Sequence, residues 1–184
     1  MKLIALFLLV PTLICAQQEE TTPILHSYIF CNTVDTSIGS SCIQDYLNIQ
    51  KEIKVIADAI GYASKMHSFI GLDFKTANLY TIPDNEKVGD SDIVIMYFSS
   101  HGGRIISDSS EFPNIIFPQR NEQFVNAESI HDTFKTKLHP KLLITVIDAC
   151  NSFFDGSENE IIHLKSAYNH QYPTIKRESI ELLT

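Results

Sequence analysis

Apolar positions along this chain fall into two rhythms, short unbroken runs and longer stretches with helical spacing. After Pro23, the run Ile24-Leu25-His26-Ser27-Tyr28-Ile29-Phe30 predicts a first strand rich in apolar and aromatic residues. A loop over residues 32–40, with Asp35, Ser37 and Gly39, breaks it. Ser41 with Gln44 three positions on has the capping-box pattern, and Ile43, Tyr46, Leu47, Ile49, Ile53, Ala57 and Ile60 then follow at helical spacing until Gly61. Residues 66–72 predict a second strand, and residues 76–82 either a short helix or an extended crossover. Beyond the acidic stretch 84–92 lies a third strand, Ile93-Val94-Ile95-Met96-Tyr97-Phe98, and then a polar region over residues 103–123. Ile130, Phe134 and Leu138 stand four apart and predict a helix that stops before Pro140. Leu142-Leu143-Ile144-Thr145-Val146-Ile147 is the fourth strand.

The third and fourth strands are nearly continuous in apolar residues rather than alternating, as in parallel strands covered on both faces. Strand, helix, strand, crossover, strand, helix, strand describes an α/β fold. In such sheets the reactive groups collect beyond the carboxyl ends of the strands.

Two strings sit at those ends. Ser99-Ser100-His101-Gly102-Gly103 follows the third strand, and Asp148-Ala149-Cys150 follows the fourth. A thiolate is the attacking form of cysteine, and an adjacent imidazolium or helix N-terminus favours it. His101 is placed to give a proton to a departing amine, and the backbone N–H of Gly102 to bind a developing oxyanion. Taken singly, each string has a plain structural reading, a strand-end turn or a small buried thiol. Together, a histidine and a cysteine each at the end of its own buried strand are the arrangement a thiol peptidase needs.

The first 16 residues have a basic start at Lys2, an apolar stretch over residues 3–9 and the ending Ile14-Cys15-Ala16, the three-part pattern of a secretory signal peptide. The apolar stretch is short of the roughly 20 residues a membrane span needs. The expected location is therefore extracellular, or periplasmic in a bacterium. The full chain carries 14 Lys and Arg against 22 Asp and Glu, a net charge of −8; without Lys2, 13 against 22 leaves −9. That balance argues against nucleic acid or an anionic membrane as partner.

Removal of Cys15 with the signal leaves Cys31, Cys42 and Cys150, an odd number. One reading pairs Cys31 with Cys42 in a disulfide and makes Cys150 inert; the other makes Cys150 the reactive thiol. His26, His67, His131, His139, His163 and His170 show no zinc-ligand spacing and read as surface or packed residues, so no metal site is expected. The acidic stretches 84–92 and 155–160 are candidate calcium ligands, although a solvated loop is the commoner reading of such stretches and neither matches an EF-hand spacing.

Tyr97-Phe98-Ser99-Ser100-His101-Gly102 and Asp148-Ala149-Cys150-Asn151-Ser152 together resemble the two motifs of caspase-like cysteine peptidases. The likeness is closer to the metacaspase and bacterial branches than to animal caspases, and it runs from about Pro23 to about Ser152. Cys150 follows His101 by 49 residues (150 minus 101), beside the roughly 50 of the caspase pattern. Ser100 replaces a usual glycine, and Asp148-Ala149-Cys150 departs from the animal glutamine-alanine-cysteine string. The resemblance implies a three-layer sandwich, a mostly parallel sheet flanked by helices, with His101 and Cys150 as catalytic residues. In metacaspases a cysteine-x-x-aspartate at the first helix, the serine two before the histidine and the aspartate two before the cysteine line the pocket for the residue preceding the cut. The matching positions are Cys42, Asp45, Ser99 and Asp148, and two carboxylates there imply selection of Arg or Lys. Taken alone, Asp148 reads as a cap for a following helix and Asp45 as a first-turn carboxylate favoured by the helix dipole. Calcium, which activates many metacaspases, is the one cofactor the resemblance brings in.

A complete caspase-like domain continues with two more strands beyond the cysteine, whereas 34 residues follow Cys150 here (184 minus 150). The expected organisation is signal peptide 1–16, spacer 17–22, catalytic core 23–155, and a linker or truncated C-terminal segment 156–184 that carries the basic pair Lys176-Arg177. The fourth strand is then expected to be an open apolar edge, for which a partner chain completing the sheet is one remedy. Two functions follow: a secreted endopeptidase acting on polypeptides, or an inactive caspase-like fold that serves as an interaction or decoy module.

Overall fold

Four parallel strands in the order β2-β1-β3-β7 build the main sheet of the computed structural model, which describes residues 22–107, 109–118 and 123–154. The strands are β1 (Ile24–Cys31), β2 (Ala63–Ile70), β3 (Ile93–Ser99) and β7 (Leu142–Asp148). Between them lie the helices α1 (Gly39–Ile60), α2 (Thr76–Asn85) and α3 (Ala127–Leu138). One face of the sheet packs Leu25, Ile29, Ile95 and Tyr97 against Cys42, Tyr46, Ile53 and Ala57 of α1. The other packs Tyr28, Phe30, Val94, Met96 and Phe98 against Leu79 and Ile82 of α2 and Ile130, Phe134 and Leu138 of α3. Alternation of side chains along β1 and β3 sends successive residues to opposite faces, which yields the three expected layers.

Several boundaries move for physical reasons. β2 begins at Ala63 rather than 66 because it pairs with β1 along its whole length, from Ile24 beside Ala63 to Cys31 beside Ile70. Residues 76–85 settle as a helix, with Pro83 tolerated near its end. α1 starts at Gly39, two residues before the expected capping box, so Ser41 lies inside the helix and caps nothing. The entry is secured instead by Asp35, whose Oδ1 accepts from the N–H groups of Ser37 (2.8 Å) and Ile38 (3.0 Å). Gly61 at φ +72° closes α1 in the left-handed conformation that glycine adopts without strain.

The polar region after residue 103 holds a second, small sheet that the apolar pattern does not predict. Its strands β4 (Gly102–Ile105), β5 (Asn114–Phe117), β6 (Gln123–Asn126) and β8 (Phe153–Phe154) run in the order β6-β5-β4-β8. Phe117 stacks on Phe74 with ring centroids 4.6 Å apart, tying this sheet to the main core. Arg104 lies 4.4 Å from the ring centroid of Phe153, across the parallel β4–β8 pair.

Coverage of β7 on both faces is not found. Leu143 and Ile147 pack on the core, but Leu142, Ile144 and Val146 remain 47%, 40% and 40% exposed. The reason is position: β7 ends the main sheet, and α1 lies over β1, β2 and β3. Among the described residues no helix is long and apolar enough to cross a membrane.

Candidate active site

Parallel register sets three residues side by side at the carboxyl ends of β1, β3 and β7. Cys31 pairs with Ser99, and Ser99 with Asp148. Both strings found in the sequence leave the sheet from this row. The Ser100 N–H donates to the Asp148 carbonyl at 3.2 Å, holding the two exits together. Ser100, in place of the usual glycine, is buried, and its hydroxyl is satisfied by the Ile116 carbonyl at 3.0 Å.

Gly102 is where the strings meet. A Cβ at this position would stand 2.9 Å from the Ala149 Cβ, 2.9 Å from the Asn114 carbonyl oxygen and 3.1 Å from the Cys150 carbonyl oxygen. A glycine is therefore required by the Ala149 side chain on one side and the Asn114 backbone on the other. The ladder also fixes where its N–H points. Ile116 donates to the His101 carbonyl at 3.0 Å, so Gly102 and Ile115 form the next, non-hydrogen-bonded pair of the antiparallel ladder. Arg104, two residues on and thus on the same edge of β4, donates to the Ser152 carbonyl at 2.8 Å. The Gly102 N–H is thereby directed to the side of Cys150.

Among the described residues there are three free cysteines, and Cys150 is the exposed one. The thiols of Cys31 and Cys42 are buried, and burial pushes both toward the protonated form, more strongly for Cys31. A Cys31–Cys42 disulfide, the competing reading of the sequence, is not formed.

Cys42, Asp45, Ser99 and Asp148 come together below the strand ends. Ser99 Oγ donates to Asp45 Oδ2 at 2.8 Å, and Tyr97 Oη lies 3.4 Å from Asp148 Oδ2. The Ser99 hydroxyl also interacts with the Cys42 thiol. Burial, with Asp45 and Asp148 nearby, pushes the Tyr97 hydroxyl well above its ordinary range, so it stays a donor. The plainer readings of the two aspartates do not hold. Asp45 lies in the second turn of α1, past the reach of a helix N-terminus, and residues 149–154 contain no helix for Asp148 to cap.

Two residues beside His101 escape the sequence reading. His101 Nε2 stands 3.0 Å from Ser37 Oγ and 3.5 Å from Asp35 Oδ2. The Asp35 side chain is 5% exposed. The only signal in the sequence is an aspartate two residues before a serine ahead of a helix, a turn motif met in many loops.

The other candidates are engaged elsewhere. His26 pairs with Asp92 at 3.1 Å at the opposite end of the sheet, His131 Nδ1 lies 3.0 Å from Thr145 Oγ1, and His67 stacks on Tyr28. His163, His170, Lys176-Arg177, the stretch 155–160 and the signal-like residues 1–16 lie outside the described residues. In the stretch 84–92, Asp84 holds Lys137 at 2.7 Å, Glu86 holds Lys65 at 2.6 Å, and Asp92 accepts from the N–H groups of Ile24 and Gly89 at 2.7 Å each. Among the described residues no three His, Cys, Asp or Glu side chains converge to hold a metal.

The chain matches the caspase domain over residues 40–180 and belongs to that family of cysteine peptidases. No curated protein matches it.

Proposed function

We propose that this protein is a secreted caspase-like cysteine endopeptidase that cuts polypeptides after Arg or Lys. The observation that carries the reading is the meeting of the two strand ends, with Gly102 pressed against the Ala149 side chain and the Cys150 carbonyl. In this reading His101 takes the thiol proton of Cys150, and the sulfur attacks the scissile carbonyl carbon. The electron pair of the carbonyl moves to its oxygen, where the Gly102 N–H receives it, a kind of donor whose removal elsewhere costs about 2.7–4 kcal/mol. Collapse of the tetrahedral species breaks the C–N bond, and His101 returns the proton to the departing amine. Water, deprotonated by His101, then cleaves the thioester and restores the thiol.

Specificity rests on Asp45 and Asp148, which flank the Tyr97 hydroxyl and put carboxylates where a guanidinium or ammonium needs a partner. This favours the metacaspase-like branch. Secretion rests on the pattern of residues 1–16.

The test is turnover of fluorogenic peptides ending in Arg, Lys or Asp by purified protein, with and without calcium, beside Cys150→Ala. Cleavage after Arg and Lys that vanishes in the variant is expected. A wild type that neither turns over nor reacts with a thiol-directed probe at Cys150 sinks the peptidase. Cleavage confined to Asp sinks the acidic pocket. The exposed Leu142, Ile144 and Val146 favour a second reading, an interaction module whose β7 face is covered by a partner chain. An inactive wild type that forms a stoichiometric complex through this face, lost in Ile144→Asp, supports it.

A further inference from the structure

We infer that Asp35 is the positioning residue for His101, acting through the hydroxyl of Ser37. The inference rests on the reading of His101 as acid and base, and it follows from an account of the hydrogens. Ser37 Oγ stands 2.6 Å from Asp35 Oδ1, a distance at which two oxygens need a proton between them. A carboxylate has none to give, so the single hydroxyl hydrogen of Ser37 goes to Asp35. The contact of Ser37 Oγ with His101 Nε2 at 3.0 Å then requires a proton on the nitrogen. Neutral His101 is thus the Nε2–H tautomer, and Nδ1 carries the lone pair that takes the thiol proton.

Asp35 is built to hold this arrangement. Burial raises the cost of its charge, yet the Ser37 hydroxyl, the N–H groups of Ile38 and Ser37, and the nearby imidazole together keep its carboxyl below the ordinary range. Its Oδ2, 3.5 Å from His101 Nε2, faces the ring that becomes positive once the thiol has ionised. The same carboxylate that caps the entry to α1 therefore sets the tautomer of the imidazole and stabilises its charged form. Among the described residues, Cys150 and Asp148 are further ionisable groups at these strand exits, and Asp45 lies in the neighbouring pocket.

Asp35→Asn in the full chain separates these duties, because asparagine caps a turn about as well as aspartate but carries no charge. Expected are a melting temperature lowered only slightly, by the loss of one charge from the turn, and a kcat lower by roughly 100-fold with KM within about twofold. Ser37→Ala should lower kcat in the same direction. Nitrogen-15 NMR of histidine-labelled wild type should show His101 protonated at Nε2, and this readout does not depend on turnover. The Nδ1–H tautomer, or an Asp35→Asn protein with wild-type kcat, overturns the assignment. An inactive wild type with His101 in the Nε2–H form overturns the peptidase reading and leaves the Asp35 assignment standing.

Discussion

Ser99 Oγ donates to Asp45 Oδ2 at 2.8 Å, joining the end of β3 to the second turn of α1 across 54 positions of sequence. This bond turns the Asp45 carboxylate toward the strand ends instead of leaving it to solvent. It also fills only one of the two carboxylate oxygens.

Removing either charge should weaken selection for basic residues. Asp45→Asn and Asp148→Asn are each expected to raise KM for peptides ending in Arg by about tenfold or more, since a hydrogen bond to a charged group contributes roughly 1.5–3 kcal/mol. The comparison peptide is one ending in citrulline, which is neutral. Equal losses on both peptides would show that the aspartates do not read charge.

Gly102→Ala should uncouple the two strand exits. Its methyl group would meet the Ala149 Cβ and the Asn114 carbonyl oxygen at 2.9 Å, so one backbone must shift. Overpacking of this kind costs about 1–3 kcal/mol, read as a lower melting temperature. Labelling of Cys150 by a substrate-derived chloromethyl ketone should be lost, while labelling by iodoacetamide persists.

Acid should destabilise the protein partly through Asp92. Although burial opposes its charge, hydrogen bonds from the Ile24 and Gly89 N–H groups and from His26 hold its carboxyl below the ordinary value of 3.8. A depressed carboxyl contributes stability that is complete above the unfolded value and is lost as pH falls through the folded one. Denaturant melts of Asp92→Asn should therefore show a smaller loss of stability below pH 4 than those of the wild type. At pH 7 the variant should be about 1–3 kcal/mol less stable, because buried donors lose their partner.

His139→Gly should stabilise the fold. His139 ends α3 with φ 48° and ψ 44°, and its N–H donates to the Lys135 carbonyl at 3.2 Å. A side chain in this conformation costs roughly 1–2 kcal/mol, part of which glycine returns through its freer unfolded chain. A gain of about 0.5–1 kcal/mol in a urea melt is expected.

The main sheet was legible because burial leaves its mark on composition. β1, β3 and β7 read as apolar runs, and α1 and α3 as residues three and four apart that meet the same core. His101 and Cys150 could be named because strand ends in an α/β fold are where chemistry gathers. The small sheet was not legible, for β4 is Gly-Gly-Arg-Ile and β8 is two residues long, and neither has a period to read. Asp35 was hidden for another reason. Its local turn signal is satisfied within four residues, whereas its meeting with His101 spans 66 positions (101 minus 35) and exists only once β1 and β3 lie side by side. The apolar run of β7 misled about coverage, because sequence records what a strand offers for burial and not what arrives to bury it.

The chain crosses from the main sheet to the small one twice, from β3 to β4 and from β7 to β8, and both crossings are parallel neighbours. His101 occupies the first crossing and Cys150 the second. The two residues thus stand on adjacent crossings of one boundary between sheets, so the pairing of β3 with β7 on one side and of β4 with β8 on the other sets their separation from both ends.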